Sequence, residues 1–188
     1  GGKFMFFDEK GFKKDFKWGS STNAQQFEGG HGQGGKGVSI ADVRVIPGAD
    51  KESNFNEFKI ASDHYHHMKE DIKLYAEMGF EIYRFTIAWT RIFPNGDEIE
   101  ANPEGIAFYS AMLDEPDKYN IEPVATLYAY DLPLNLLEKY RGFMSREIIK
   151  DFTHYAETVI KAFKGRIKYW IPFNEQNFID LDSEYMTG

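Results

Sequence analysis

Short apolar runs alternate with longer segments of helical periodicity, and this alternation limits the fold more than any other feature of the sequence. Apolar residues recur at intervals of three and four over residues 60–78, and a weaker helical pattern covers residues 103–119. A third pattern opens at Ser145 and presents one apolar face, made of Ile148, Ile149, Phe152, Tyr155, Ala156, Val159, Ile160 and Phe163. Gly79 and Gly165 are the expected C-terminal caps of the first and third helices.

Strand-like runs lie between these helices, at residues 16–27, 82–89, 121–128 and 167–173. They are apolar rather than alternating, which is typical of parallel strands covered on both faces. Strands that alternate with helices form parallel βαβ units. A complete (β/α)8 TIM barrel takes about 250 residues, so we expect this chain of 188 residues to form an α/β fold of about four parallel strands with flanking helices, roughly half of such a barrel.

The composition of the chain argues against several kinds of partner and binding site. The net charge of −8 argues against a nucleic acid or an anionic membrane as partner, and the absence of cysteine excludes disulfides and thiolate zinc sites. No apolar run approaches the length of about 20 residues that spans a bilayer, and the start of the sequence lacks the apolar region of a signal peptide. We therefore expect a cytoplasmic protein.

Two further patterns imitate ligand sites. Gly30, Gly32 and Gly35 satisfy G-x-G-x-x-G, but both this motif and the P-loop bind phosphate only where the loop opens a helix, and residues 37–47 are poor helix material. We expect a mobile loop over residues 29–58 that binds no nucleotide.

Asp63, His67 and Asp71 share one helical face at spacings that suit a metal. A solvated face has the same pattern, so we expect neither a metal nor a cofactor.

A carboxylate follows the last strand-like run. Asn174 and Glu175 come directly after residues 167–173, and in (β/α)8 enzymes the catalytic side chains lie at the C-terminal ends of the strands. Glu175 is therefore a candidate general acid.

Five ordered segments resemble the signature blocks of glycoside hydrolase family 1. They are FKWGSSTNAQQFEGG, SDHYHHMKEDI, MGFEIYRFTIAWTRIFPNG, IEPVATLYAYDLP and RIKYWIPFNEQN. Two segments, IAWTRIFPNGDE and FNEQNFI, resemble the branch of the family that acts on phosphorylated β-glucosides. The resemblance implies that residues 1–188 are the N-terminal part of a single catalytic TIM barrel, with retaining hydrolysis of β-glucosides or their 6-phosphates as its activity and no cofactor.

The same resemblance implies a role for each matching residue. Glu175 would be the acid/base catalyst, and Asn174 would bind the sugar 2-hydroxyl. Gln26 would bind hydroxyls at the far side of the ring. The remaining residues would complete the substrate site: Arg84 would lie beside the nucleophile, Trp89 would shape the cleft and Tyr130 would bind substrate.

The chain departs from the family pattern in two ways that bear on activity. Ala129 stands where members have a sugar-binding histidine, and the Glu-Asn-Gly block that carries the nucleophile does not occur in the sequence. Since retaining chemistry needs two carboxylates, we expect the chain alone to be inactive. The alternative function is a non-catalytic half barrel that only folds or associates, and its bare strand edges predict a homodimer.

Overall fold

The computed structural model describes residues 12–43 and 57–176, which are built around a four-stranded parallel sheet. The strands lie in chain order and are β1 (Gly19–Ser21), β2 (Ile82–Thr86), β3 (Glu122–Tyr128) and β4 (Tyr169–Phe173). Three long helices connect them: α3 (His64–Glu77), α5 (Pro103–Tyr119) and α7 (Ile148–Ala162). Four short helices lie in the connections: α1 (Ala24–Phe27), α2 (Ile40–Val43), α4 (Trp89–Ile92) and α6 (Leu134–Tyr140).

Each strand pairs in parallel with the next one along the chain, through the contacts β1–β2, β2–β3 and β3–β4. Right-handed crossovers between such neighbours place the connecting helices on one face of the sheet. This is the arrangement of part of a (β/α)8 barrel, and the expected α/β class with four parallel strands is confirmed. No helix within the described residues has the length and apolar character needed to cross a bilayer.

The ends of α3 follow from backbone conformation. The prediction that this helix begins at residue 60 is wrong, because Ala61 and Asp63 adopt left-handed backbone conformations with φ of 51° and 54°. At the other end, the Gly79 N–H donates to the Ala76 carbonyl and the Phe80 N–H donates to Tyr75, both at 3.0 Å. This is a Schellman cap, and Gly79 has the positive φ that it requires.

Two other boundaries follow from local chemistry. The helix α5 ends at Tyr119, as its periodicity predicts, although Pro116 lies inside it and a proline there should kink or end a helix; Asn120 ends it in the left-handed conformation. Pro116 is buried in the last turn of α5. The run predicted as a strand over residues 16–27 contains only a three-residue strand, because the Asn23 side chain accepts from the Gln26 N–H and caps α1.

The helix-facing side of the sheet carries an aromatic core. The Tyr155 hydroxyl, from α7, donates to the carbonyls of Ile87 and Leu127 at 2.8 and 2.9 Å, which ties the ends of β2 and β3 to the helix layer. Ile148, Tyr155 and Val159 are the buried residues of α7. Ile149 and Ile160, which were assigned to the same apolar face, are instead 52% and 41% exposed.

A buried ion pair joins the connections that follow β1 and β2. Arg91 is 0% exposed, and its Nε donates to Glu28 Oε1 at 2.6 Å. The Tyr109 hydroxyl, from α5, donates to Glu28 Oε2 at 2.6 Å. The Arg91 guanidinium also donates to the carbonyls of Gln33 and Gly29, each at 3.2 Å. Every charge in this cluster has a partner, which is the condition under which burial of an ion pair is tolerated.

The glycine-rich segment packs against this cluster. Asn102 donates to the Gly34 carbonyl at 2.7 Å, and the Gly37 N–H donates to the Thr90 carbonyl at 2.9 Å. The short helix α2 follows, with the Asp42 carboxylate accepting from both the N–H and the hydroxyl of Ser39. An anion therefore already occupies the start of this turn. The expected mobile loop does not hold for residues 29–43, and residues 44–56 lie outside the described residues.

We expect Glu28→Gln to lower the free energy of unfolding by about 3 kcal/mol, since it leaves the Arg91 guanidinium buried without its counter-charge. Urea titration of both proteins measures this. Glu157→Gln is the matched control: it breaks the exposed pair with Lys161, 3.2 Å apart, and should cost less than about 0.5 kcal/mol. Equal losses in the two variants would contradict a structural role for the buried pair.

Candidate active site

Polar side chains lie on the face of the sheet opposite the long helices. On β2, Tyr83 and Phe85 are buried against the helix layer, and Arg84 between them points to the other face. The Arg84 Nε donates to Thr126 Oγ1 of β3 at 2.8 Å. A half-buried arginine is thus held by its neighbouring strand at the centre of this face.

Asn174 meets Arg84 at the end of β4. The Arg84 Nη2 donates to Asn174 Oδ1 at 2.7 Å, and the Asn174 N–H donates to the Tyr128 carbonyl at 2.8 Å. Because Oδ1 accepts from a guanidinium, the amide orientation of Asn174 is set, and its Nδ2 hydrogens remain to donate to another group. Three strands therefore cooperate to orient one amide.

Tyr130 and Glu175 form a second pair at the same edge. The Tyr130 hydroxyl donates to Glu175 Oε2 at 3.1 Å, and the Glu175 side chain is otherwise exposed. Burial, followed by the nearby Glu175 carboxylate, raises the pKa of Tyr130. The phenol therefore keeps its proton at neutral pH and is the donor in this bond.

The two remaining candidates lie apart from these pairs. Gln26 is exposed on α1, where its Oε1 accepts from Asn23 at 2.9 Å. The structure places Trp89 in the core instead of at a cleft: the indole is 0% exposed and stacks on Tyr155 with ring centroids 5.0 Å apart. The cause is α4, which begins at Trp89 and directs its side chain toward α7.

Two buried aspartates near the same edge were missed by the sequence analysis. Asp42 and Asp131 both line a cleft that also contains Glu28 and Lys36. Burial alone would raise the pKa of Asp42, but Lys36 at 3.1 Å and the hydrogen bonds from Ser39 hold it below its ordinary value. Asp131 has no such ion pair among the described residues, and burial raises its pKa to about 7. Near neutral pH the ionised Asp42 therefore lies in the same cleft as an Asp131 that is about half protonated.

The helical triad considered as a metal site is not assembled. Asp63 lies 2.6 Å from His66 and 3.6 Å from His67, while Asp71 accepts from His64 at 2.6 Å instead. Residues 12–43 and 57–176 contain no group of three or more potential ligands placed to hold a metal ion. These histidines contact carboxylates along one helix instead.

Known proteins resemble almost the whole chain. The family model described as glycosyl hydrolase family 1 matches residues 8–188. The chain is 45% identical over 179 residues to the aryl-phospho-beta-D-glucosidase BglH of Bacillus subtilis, covering 93% of this chain and 38% of that protein. It is 46% identical over 181 residues to a 6-phospho-beta-glucosidase of Clostridium longisporum, covering 94% and 38%.

A solved structure shares the architecture. The crystal structure of the rice Os3BGlu6 beta-glucosidase superposes with a TM-score of 0.79 at 40% identity, over 86% of this chain and 33% of that one. The described strands and helices therefore correspond to a part of a larger barrel. The chain spans about two fifths of the length of the curated relatives it matches.

We expect the stability advantage of wild type over Asp131→Asn to fall by about 1.4 kcal/mol per pH unit between pH 4 and pH 7. The folded chain, with the pKa of Asp131 raised to about 7, retains a proton that the unfolded chain releases above pH about 4. The contribution of the protonated carboxyl is therefore complete below pH 4 and is lost as the pH rises toward 7. Asparagine does not titrate, so urea titrations of both proteins across this range isolate the effect. Parallel stability curves would contradict it.

Proposed function

The chain belongs to glycosyl hydrolase family 1, and on this premise we propose that it carries the acid/base side of a retaining β-glucosidase site. The observation that carries the proposal is the pair of hydrogen-bonded contacts Arg84–Asn174 and Tyr130–Glu175 at the C-terminal edge of a parallel sheet. This edge is where (β/α)8 enzymes place their chemistry. Glu175 is exposed there, within reach of a ligand.

In the proposed reaction of the complete site, Glu175 gives its proton to the glycosidic oxygen as the bond to the leaving group breaks, and C1 of the sugar bonds to the nucleophilic carboxylate of the family's Glu-Asn-Gly block, which these 188 residues do not contain. The same carboxylate then takes a proton from the water that releases the sugar. Asn174 donates from Nδ2 to the sugar 2-hydroxyl, a contact that strengthens in the transition state. Gln26 binds hydroxyls on the far side of the ring. Arg84 contributes the positive charge that keeps the nucleophilic carboxylate ionised.

The proposed substrates are β-glucosides, with the 6-phosphate favoured. Both curated relatives described above are named for phosphorylated β-glucosides and are 45% and 46% identical to the chain, whereas the plain beta-glucosidase from rice is 40% identical. The amino-acid sequences of the segments around Trp89 and Glu175 support the same preference. The 188 residues contain no Glu-Asn-Gly block, so we further propose that the chain alone binds glucosides without hydrolysing them.

We expect methyl β-glucoside to bind the chain weakly, with a dissociation constant of about 1–10 mM, and to shift the side-chain amide signals of Asn174 and Gln26 in NMR spectra. Asn174→Ala should weaken this binding, because the hydrogen bond to the 2-hydroxyl is lost. Asn95→Ala is the control, since this asparagine binds Glu98 in the turn after α4 and is not among the proposed sugar-binding residues. The absence of any amide shift at saturating glucoside would contradict the proposal.

The same protein should show no turnover of an aryl β-glucoside or of its 6-phosphate. One carboxylate cannot complete the covalent double displacement. Turnover that disappears in Glu175→Gln would show that a second carboxylate is present after all, and would overturn the inactivity of the chain but not the role of Glu175.

A second candidate function is association. Within the described residues, β4 pairs only with β3, and Tyr169 of this strand is 46% exposed. Unpaired strand edges with exposed apolar side chains commonly become interfaces. We propose that two copies of the chain associate through β4.

We expect Ile171→Lys, on β4, to raise the dissociation constant of this homodimer at least about tenfold, because a charge on an edge strand opposes pairing. Sedimentation velocity over a range of concentrations measures it. Ile149→Lys is the matched control, since Ile149 is 52% exposed on α7, away from the sheet edge. A wild-type chain that remains monomeric at all concentrations would reject the dimer.

A further inference from the structure

We propose that Tyr130 is a positioning residue for Glu175, holding its carboxylate through Oε2 so that Oε1 is the oxygen that presents the proton to the leaving group. The inference rests on the proposed function for the assignment of Glu175 as acid/base. It goes further by giving each carboxylate oxygen a separate task. It also gives Tyr130 a contact with the catalyst, whereas the sequence indicated a contact with substrate.

The geometry that supports this is a direct side-chain contact across two strand ends. The Tyr130 hydroxyl lies 3.1 Å from Glu175 Oε2 and 3.4 Å from the Glu175 carbonyl oxygen. These two residues are 45 positions apart in the chain, one following β3 and the other following β4. An exposed glutamate has many rotamers, and a single bond to a fixed partner selects among them.

The backbone at both residues directs the side chains toward this contact. Tyr130 and Glu175 have φ of 61° and 48°, in the left-handed region that non-glycine residues seldom occupy. Such conformations persist where the surrounding structure stabilises them, and they cluster at functional sites. Each residue is anchored on its N-terminal side: Ala129 is buried, and the Asn174 N–H donates to the Tyr128 carbonyl.

The direction of the hydrogen bond decides which oxygen carries the proton. The Glu175 carboxylate is one of the causes that raise the pKa of Tyr130, so the phenol holds its proton and donates it toward Oε2. An Oε2 that accepts from the phenol is turned toward Tyr130 and away from a ligand above the strand ends. The catalytic proton then resides on Oε1, leaves from it to the glycosidic oxygen, and returns to it from water.

The test is an NMR titration of the chain labelled with ¹³C at the tyrosine Cζ, with Tyr130→Phe used to assign the signal. In Glu175→Gln the pKa of Tyr130 should fall by about half a unit or more, because the neighbouring negative charge is gone. Glu77→Gln removes the same charge from the exposed end of α3, which leads into the start of β2 at the opposite edge of the sheet, and should leave the pKa of Tyr130 unchanged. Glu175→Asp, which retains the charge on a side chain too short for the contact, should give an intermediate value.

A second measurement addresses positioning itself. In Tyr130→Phe, relaxation of the Glu175 Cγ methylene should report a lower order parameter than in wild type, which a merely packed tyrosine would not cause. An unmoved Tyr130 pKa in Glu175→Gln, or an unmoved Glu175 order parameter in Tyr130→Phe, overturns the proposal. These readouts need no glucoside, so a chain that shows both changes but fails to bind methyl β-glucoside would reject the proposed function and leave the Tyr130–Glu175 contact standing.

Discussion

The buried pair formed by Glu28 and Arg91 is the constraint on which the C-terminal edge of the sheet depends. It connects two consecutive βα units, because Glu28 follows β1 and α1, whereas Arg91 in α4 and the third partner, Tyr109 in α5, both follow β2. The Tyr109 hydroxyl also accepts from the Ala88 N–H at 2.7 Å, at the end of β2. Burying two charges costs desolvation free energy, and their mutual attraction offsets this cost only when each remaining polar atom is hydrogen-bonded. The glycine-rich segment provides that satisfaction, since its carbonyls accept from the remaining guanidinium nitrogens. The segment that looked like a nucleotide loop is therefore part of the framework.

The candidate site is built on this framework by a relay of hydrogen bonds across the strands. Thr126 of β3 holds Arg84 of β2, and Arg84 holds Asn174 at the end of β4. Because Arg84 reaches from β2 across β3 to the end of β4, the position of the last amide follows from the register of all three strands. Tyr130 and Glu175 complete the edge through backbone conformations that bring both side chains above the strand ends. The parallel register thus brings residues that are far apart in the sequence together at one polar edge of the sheet.

Local chemistry explains which elements could be predicted from the sequence. The bounds of α5 matched the prediction because Asn102 caps it, Pro103 occupies its first turn and Asn120 ends it, and all three signals are local. The α4 helix has only four residues, too few to show a period, so the sequence did not indicate that Trp89 turns into the core. The sequence analysis gave Asp131 no role, because this residue is buried beside the Ser39–Pro133 bridge, a long-range contact that no local pattern reveals. The pairing of Arg84 with Asn174 spans 90 positions, and only the family resemblance placed them in one site.

The positive charge of Arg84 also indicates that an anion fits beside it. The partners of this guanidinium among the described residues are the hydroxyl of Thr126 and the carbonyl oxygen of Asn174, and both are neutral. Arg91, by contrast, is buried only because a carboxylate meets it at 2.6 Å. A half-buried arginine held by neutral groups keeps its positive charge and further N–H donors available to an anion. Under the proposed function, a second carboxylate placed over that face of the sheet would gain the positive charge that a nucleophile needs to stay ionised, while Glu175 at the edge would serve as the acid. The described strands would then supply Arg84 and Glu175 to a site of two carboxylates.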